Sequence, residues 1–164
     1  MSFEKAISHL KEYGFEDRVN EFEVSSATVE LAAEAVGVEP ARIAKTLSFE
    51  SQNGCILVVT AGDMKVNGAK FKSEFGIKPR MLSLDKVEEK TGHQVGGVCP
   101  FGVNDETKIY LDVSMQRFDV VYPACGSENS SVKLTCEELF KCSSAEKWVD
   151  VCVKALPAGV ACSE

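Results

Sequence analysis

Apolar residues at Phe3, Ala6, Ile7 and Leu10 recur at helical spacing, and Gly14 follows as a stop. Phe22 and Val24 then alternate with Glu21 and Glu23, which predicts a short strand. A second helix fits 28–36, capped by Ser25 or Ser26 and ended by Gly37. Pro40 is placed to open a short third helix, because the first helical position needs no N–H donor. Two apolar runs, 46–49 and 55–60, flank Ser51-Gln52-Asn53-Gly54, whose Asn-Gly pair suits a tight hairpin turn. Helices are expected over 67–75, ending at Gly76, and over 84–91, capped by Ser83 and ending at Gly92. Strands at 108–112 and 120–122 surround a short helical turn. Thr135 and Glu138 have capping-box spacing, so a helix starts there, and an apolar strand at 148–153 closes the pattern.

Strands and helices are interspersed without the regular alternation of a doubly wound parallel sheet, and the hairpin favours antiparallel or mixed pairing. No internal repeat, low-complexity tract or interior linker interrupts the chain. With 164 residues, it predicts a single domain over 1–156 and a frayed, small and polar tail over 157–164.

Composition narrows the classes. The N-terminus lacks the basic start and apolar block of an export signal, and no apolar run reaches the ~20 residues that span a bilayer. A cytoplasmic protein without membrane contact is expected. Seven cysteines include no C-x-x-C pair, and only two histidines could join them. Reduced thiols are therefore expected, with no metal and no cofactor. A net charge of −7 argues against a protein that coats DNA or RNA electrostatically. The charge is uneven, however. Between Asp63 and His93 the cations Lys65, Lys70, Lys72, Lys78, Arg80, Lys86 and Lys90 outnumber Asp63, Glu74, Asp85, Glu88 and Glu89. That stretch is either a local nucleic-acid surface or a solvated face of mixed charge.

Nucleotide-binding glycine loops and the G-x-S-x-G elbow are absent, so any catalysis falls to lysine, backbone amides, water and the substrate. The most unusual segment is Gly92-His93-Gln94-Val95-Gly96-Gly97-Val98-Cys99-Pro100-Phe101-Gly102. Its glycines either serve turn geometry alone or let several N–H groups converge on a phosphate, carboxylate or developing oxyanion. In Ala41-Arg42-Ile43-Ala44-Lys45-Thr46-Leu47, Lys45 sits where a helical turn passes into a strand. It either snorkels to solvent or holds an anion at a pocket rim.

Together, Ile43-Ala44-Lys45-Thr46-Leu47, Val59-Thr60-Ala61-Gly62-Asp63 and the segment from Thr91 to Gly102 resemble the YbaK/EbsC family, with the motifs in family order. That family includes the editing domain inserted in bacterial prolyl-tRNA synthetases. The resemblance spans about 3–154. It implies an α+β fold, a mixed, largely antiparallel sheet curled into a barrel-like core with helices around it. It also implies hydrolysis of the ester joining an amino acid to the terminal adenosine of mischarged tRNA, with tRNA-Pro carrying a small amino acid as the expected substrate. By motif match, Lys45 stands where the family lysine needed for activity stands, with Thr46 beside it. Gly96 and Gly97 open the G-x-x-x-P loop that ends at Pro100 and holds the acceptor end and scissile carbonyl. An aminoacyl ester is already reactive, so positioning and oxyanion stabilisation suffice.

The chain departs from the family's cysteinyl-tRNA-Pro deacylase in the amino-acid pocket. Thr28 replaces a phenylalanine, Ala124-Cys125-Gly126 replaces a serine-glycine-glycine loop, and Ser131 stands near an aspartate position. Cysteine specificity therefore does not carry over, and alanine, serine, threonine or another small residue is open as the substrate. Asp63 and Lys65 either line the site or belong to a solvated turn. His93 either reaches the acceptor stem or is an ordinary half-buried histidine. Asp112 either buttresses the loop or caps a turn. Two rival functions remain: a thiol hydrolase using Cys99 with His93 as base, and a non-catalytic module that binds tRNA ends or a synthetase. The acidic charge leaves room for a prolyl-tRNA synthetase or an elongation factor to supply affinity beyond the acceptor end.

Overall fold

The computed structural model describes residues 2–25, 28–52 and 54–155. Ser26, the hairpin residue Asn53 and the tail at 157–164 lie outside the described residues. In chain order the elements are α1 (Ser2–Lys11), β1 (Val19–Glu21), α2 (Val29–Val36), β2 (Ile43–Ser51), β3 (Gly54–Ala61), β4 (Met64–Val66), α3 (Gly68–Phe75) and α4 (Leu84–Thr91). Then follow β5 (Thr107–Asp112), β6 (Val120–Pro123), β7 (Ser130–Val132), β8 (Leu134–Thr135), α5 (Cys136–Ser143), β9 (Lys147–Val149) and β10 (Cys152–Lys154). The fold is α+β. Its main sheet has the order β8-β6-β2-β3-β5-β9 and curls into a half-barrel. The pairs β1–β7 and β4–β10 add two small antiparallel ribbons.

β2 and β3 form the spine, an antiparallel pair running from Ala44↔Ala61 to Ser51↔Gly54. β3 is flanked on its other edge by parallel β5, so Cys55 to Ala61 are all buried. A strand covered on both faces needs a continuous apolar run, which this one has. Period-two alternation divides its side chains. Cys55, Leu57, Val59 and Ala61 enter the main core with Leu10, Phe101 and Met115, whereas Ile56 and Val58 enter a second core with Phe49 and Phe71. In that second core Phe49, Phe71, Phe75 and Tyr110 form a chain of ring contacts at 4.6–4.8 Å. Such pairs add about 0.5–1.5 kcal/mol each beyond burial.

Helix ends follow local chemistry. Asn67 caps α3 by accepting from the Lys70 N–H, and Thr135 with Glu138 completes the reciprocal capping box of α5. Pro40 opens a 3-10 turn, Pro40–Arg42, as its missing donor allows. Four expectations need correction. Ser83 stands at the N-cap position of α4, but its side chain makes no capping bond there. The cap of α2 is Thr28 itself, whose Oγ1 accepts from Leu31 N–H at 3.1 Å. β1 lies earlier than the alternation at 21–24 suggests, because pairing with β7 rather than side-chain pattern sets its register; Val24 is solvent-exposed. The closing strand at 148–153 is two strands. Val151 N–H donates to Asp112 Oδ1 and the Val151 carbonyl accepts from Asn67, which turns the chain between β9, paired to β5, and β10, paired to β4.

Candidate active site

A cavity of about 270 Å³ opens where the start of β2 meets α2, α4, β6 and the glycine loop. Alternation along β2 sends Ala44, Thr46 and Ser48 toward one face, and all three line this cavity. Parallel pairing of β2 with β6 puts Ala44 beside Pro123. An isolated bridge then joins Ala124 to Ser131, so the end of β7 is carried to the cavity wall. Ala32, Ile43, Val87, Val98 and Tyr122 make most of the wall apolar. Met81, Leu84 and Val95, each more than half exposed, stand around it.

The glycine loop is pinned from several sides. Gly92 ends α4 in the left-handed conformation, and Asn104 Nδ2 donates to the carbonyls of Glu89 and Lys90. Gly97 packs so closely on the Gly126–Ser127 peptide that a Cβ would lie 2.7 Å from the Gly126 carbonyl carbon. Its N–H donates to the Gln94 carbonyl at 3.0 Å. Gly97 therefore serves close packing, and its amide is occupied by the loop itself. Among the described residues no acceptor takes the N–H of Gly96 or Val98, both of which line the cavity.

Lys45, Thr46, Gly96, Thr28, Ala124 and Ser131 are thus brought to one cavity from four separate stretches of sequence. Thr28 does double duty there as the α2 cap. The other candidates are not among the lining residues. Asp63 is held by Arg117 in a bidentate pair at 3.0 and 2.6 Å, which keeps its carboxyl below the usual carboxylate range. Pro100, Cys125 and Gly126 are buried, Cys125 in the main core. His93 is fully buried, its Nε2–H donating to the Phe101 carbonyl at 2.6 Å, and burial pushes its pKa down.

Cys99 Sγ lies 3.5 Å from His93 Nε2, which is the contact a thiol hydrolase would need. The chemistry is opposite, however. Cys99 is 0% exposed, outside the cavity lining, and burial pushes its thiol up while pushing the imidazole down. Both groups are held neutral, so this pair is a core contact.

Lys45 is different. It lies in register with Thr60, on the face of β2 that carries Leu47 and Phe49, yet it belongs to the cavity lining. Its ammonium makes no hydrogen bond or ion pair among the described residues. Half-burial lowers its pKa, an effect that the fields of Cys152, Asp63 and Glu30 oppose. A partly desolvated ammonium without a partner is poised to take an anion or a strong acceptor.

The profile of the aminoacyl-tRNA editing domain matches residues 23–142, a span that contains every cavity-lining residue. The chain belongs to this family. It is 50% identical over 153 residues to the uncharacterised protein YwhH of Bacillus subtilis (strain 168), covering 93% of this chain and 98% of YwhH. It is 26% identical over 121 residues to EbsC of Enterococcus faecalis (strain ATCC 700802 / V583), covering 73% of this chain and 74% of EbsC. EbsC is provisionally named a Cys-tRNA(Pro)/Cys-tRNA(Cys) deacylase. A crystal structure described, provisionally, as a trans-editing enzyme for prolyl tRNA synthetase superposes with a TM-score of 0.82 at 30% identity, over 92% of this chain and 96% of that one.

Within this editing domain the sequence pattern misses Ser48, Tyr122 and Ser130, which complete the chamber, and the apolar residues Met81, Leu84 and Val95. Ser48 was accessible in principle, because a period of two puts it on the same face as Thr46. Tyr122 and Ser130 reach the chamber only through the pairing of β6 and β7 with distant strands. No helix among the described residues is long and apolar enough to cross a membrane.

Proposed function

We propose that this chain is a trans-editing aminoacyl-tRNA deacylase that hydrolyses the ester of mischarged tRNA, with tRNA-Pro carrying a small amino acid as substrate. The observation that carries the reading is the chamber itself: an unpaired, half-buried lysine and an unclaimed glycine-loop amide flank a small, mainly apolar pocket. An editing site needs those three parts, a hold on the acceptor end, donors for the scissile carbonyl, and a pocket for the amino acid.

In this reading Lys45 anchors the terminal phosphate or ribose, and Thr46 and Pro100 shape the strand end and loop around it. The N–H groups of Gly96 and Val98 polarise the carbonyl, since that of Gly97 is held by Gln94. Water attacks the carbonyl carbon, the tetrahedral intermediate collapses, and the ribose oxygen leaves with a proton. The neighbouring ribose hydroxyl orients the water. Around the mouth, exposed Met81 and Leu84 stand beside exposed Arg80 and Lys86, a surface suited to a terminal base and its phosphates. His93, Asp63, Cys125 and Gly126 support this architecture from outside the cavity lining. A prolyl-tRNA synthetase or an elongation factor supplies affinity that the acidic body of the chain does not.

The test is deacylation by wild type and Lys45→Ala of tRNA-Pro charged with alanine, cysteine, serine and threonine. Release of an amino acid by wild type, with a loss of at least about a hundredfold in the variant, is expected. Binding of charged tRNA without turnover of any of them would replace this reading with that of a binding module.

A further inference from the structure

Lys45 is useful to a substrate only while it has no partner, yet a carboxylate stands close by. Pairing of β2 with β3 sets Lys45 opposite Thr60 and Ala44 opposite Ala61. The turn that follows folds tightly onto the start of β2. A Cβ on Gly62 would collide with the Pro40 carbonyl oxygen and lie 3.2 Å from that of Ile43. Asp63 therefore leaves the turn at the Lys45 end of the sheet, and its charge acts on the ammonium. The two do not pair, because both Asp63 oxygens are taken by Arg117, at 2.6 and 3.0 Å. Arg117 is itself locked. Its Nε–H donates to the Ser114 carbonyl at 2.7 Å, and its guanidinium lies over the Phe118 ring, 4.9 Å from the centroid. Arg42 lies over the same ring at 5.0 Å. The Arg117 and Asp63 side chains are 41% and 22% exposed, a setting in which an ion pair adds little stability. Its place beside Lys45 gives it a second use.

We propose that Arg117 is a positioning residue: its two-pronged hold on Asp63 keeps that carboxylate off Lys45 and leaves the ammonium free for the acceptor end; this rests on the deacylase reading. Without the guanidinium, Asp63 feels two other cations, Lys45 and Lys154. Lys154 is exposed and well solvated, so pairing there gains little. Lys45 is partly desolvated and unpaired, so it gains more from a carboxylate. A lysine neutralised in that way offers less charge to a phosphate, and the carboxylate beside it repels one. At a distance Asp63 helps Lys45 hold its proton against half-burial; in contact it would occupy the ammonium. The planar fork of arginine suits this task, because it engages both carboxylate oxygens at once.

The experiment compares wild type, Arg117→Ala and the double variant Arg117→Ala with Asp63→Asn in deacylation of mischarged tRNA-Pro. A second readout needs no turnover: NMR titration of the Lys45 amine after reductive methylation with a 13C label, its signal assigned by Lys45→Arg. Arg117→Ala is expected to lower kcat/KM by at least about tenfold, mainly through KM. Its Lys45 should titrate at higher pH than in wild type, because a carboxylate in contact favours the charged form. The double variant lacks every Arg117 contact yet should return to within about threefold of wild type, with Lys45 titrating as before. Should Arg117→Ala fail to fold, Arg117→Gln, which keeps a side-chain stem over Phe118, takes its place in both variants. A double variant as slow as the single one, or a Lys45 titration that Arg117→Ala leaves unmoved, would reduce Arg117 to a structural residue and overturn the inference, with the deacylase reading intact. Absence of turnover in wild type would instead remove the deacylase reading, while the titration still decides whether Arg117 keeps Asp63 and Lys45 apart.

Discussion

Buried polar groups lie against both faces of the β2–β3 pair, and the two sets differ in one respect. On the face of Thr60, every group is engaged: Thr60 Oγ1 meets Ser114 Oγ, which also accepts from Ala61 N–H at 3.3 Å. Asp112 accepts from Ser114 N–H through Oδ2 and from Val151 N–H through Oδ1, both at 3.0 Å. On the face of Thr46, the hydroxyls of Thr46 and Ser131 have no partner. The first set ties three elements together and holds the break between β9 and β10. The second makes no hydrogen bond that ties elements together. Lys45 shares the register of Thr60 but not its saturation, and it stands where the two sets meet.

The sharpest way to break the comparison is Asp112→Ala. Removing both acceptors strands two buried N–H groups and should cost about 3 kcal/mol in urea unfolding. Gly97→Ala comes next. Its Cβ would meet the Gly126–Ser127 peptide at 2.7–2.8 Å, so a loss of about 1–3 kcal/mol is expected with deacylation impaired by displacement of the loop. Ser131→Ala should change stability by no more than about 0.5 kcal/mol, because no hydrogen bond is lost. A loss near that of Asp112→Ala would erase the distinction between the faces.

The smallest effect concerns His93. Burial is the main reason that its folded-state pKa is depressed, with the fields of Lys5 and His9 adding to it. The unfolded chain therefore takes up the proton first. The stability that this neutral histidine contributes is complete above about pH 6.5, the ordinary histidine value, and is lost as pH falls toward the depressed one. His93→Gln, which retains a donor for the Phe101 carbonyl, should flatten the urea midpoint between pH 7 and 5. An unchanged slope would mean that His93 is not the group responsible.

Much of the secondary structure was legible because its signals are local. Asn67 and Gly76 bracket α3, Thr135 and Glu138 open α5, and Gly37 closes α2, each within a few residues of the element it defines. The misses share the opposite property. The alternation at 21–24 pointed to the wrong residues, since β1 is defined by β7 more than a hundred positions away. The run at 148–153 gave no sign of a break that depends on Asp112 and Asn67. At the site, Lys45, Thr46, Gly96, Thr28, Ala124 and Ser131 were nameable from motif resemblance and line the cavity, whereas His93, Asp63, Pro100, Cys125 and Gly126 are not among its lining residues.

The chain's own order of residues determined the family, the hairpin at its centre, the helix limits and the lysine and glycine loop from which the chemistry is argued. Periodicity, capping and motif spacing act over a few bonds and survive in one dimension. Tertiary structure alone decided which amide of the glycine loop is spent on Gln94, which of two faces Thr46 shares with Ser131, and that the Cys99–His93 contact is inert. Those outcomes depend on burial and on which distant groups saturate one another, and hydrogen-bond saturation is a property of the packed whole.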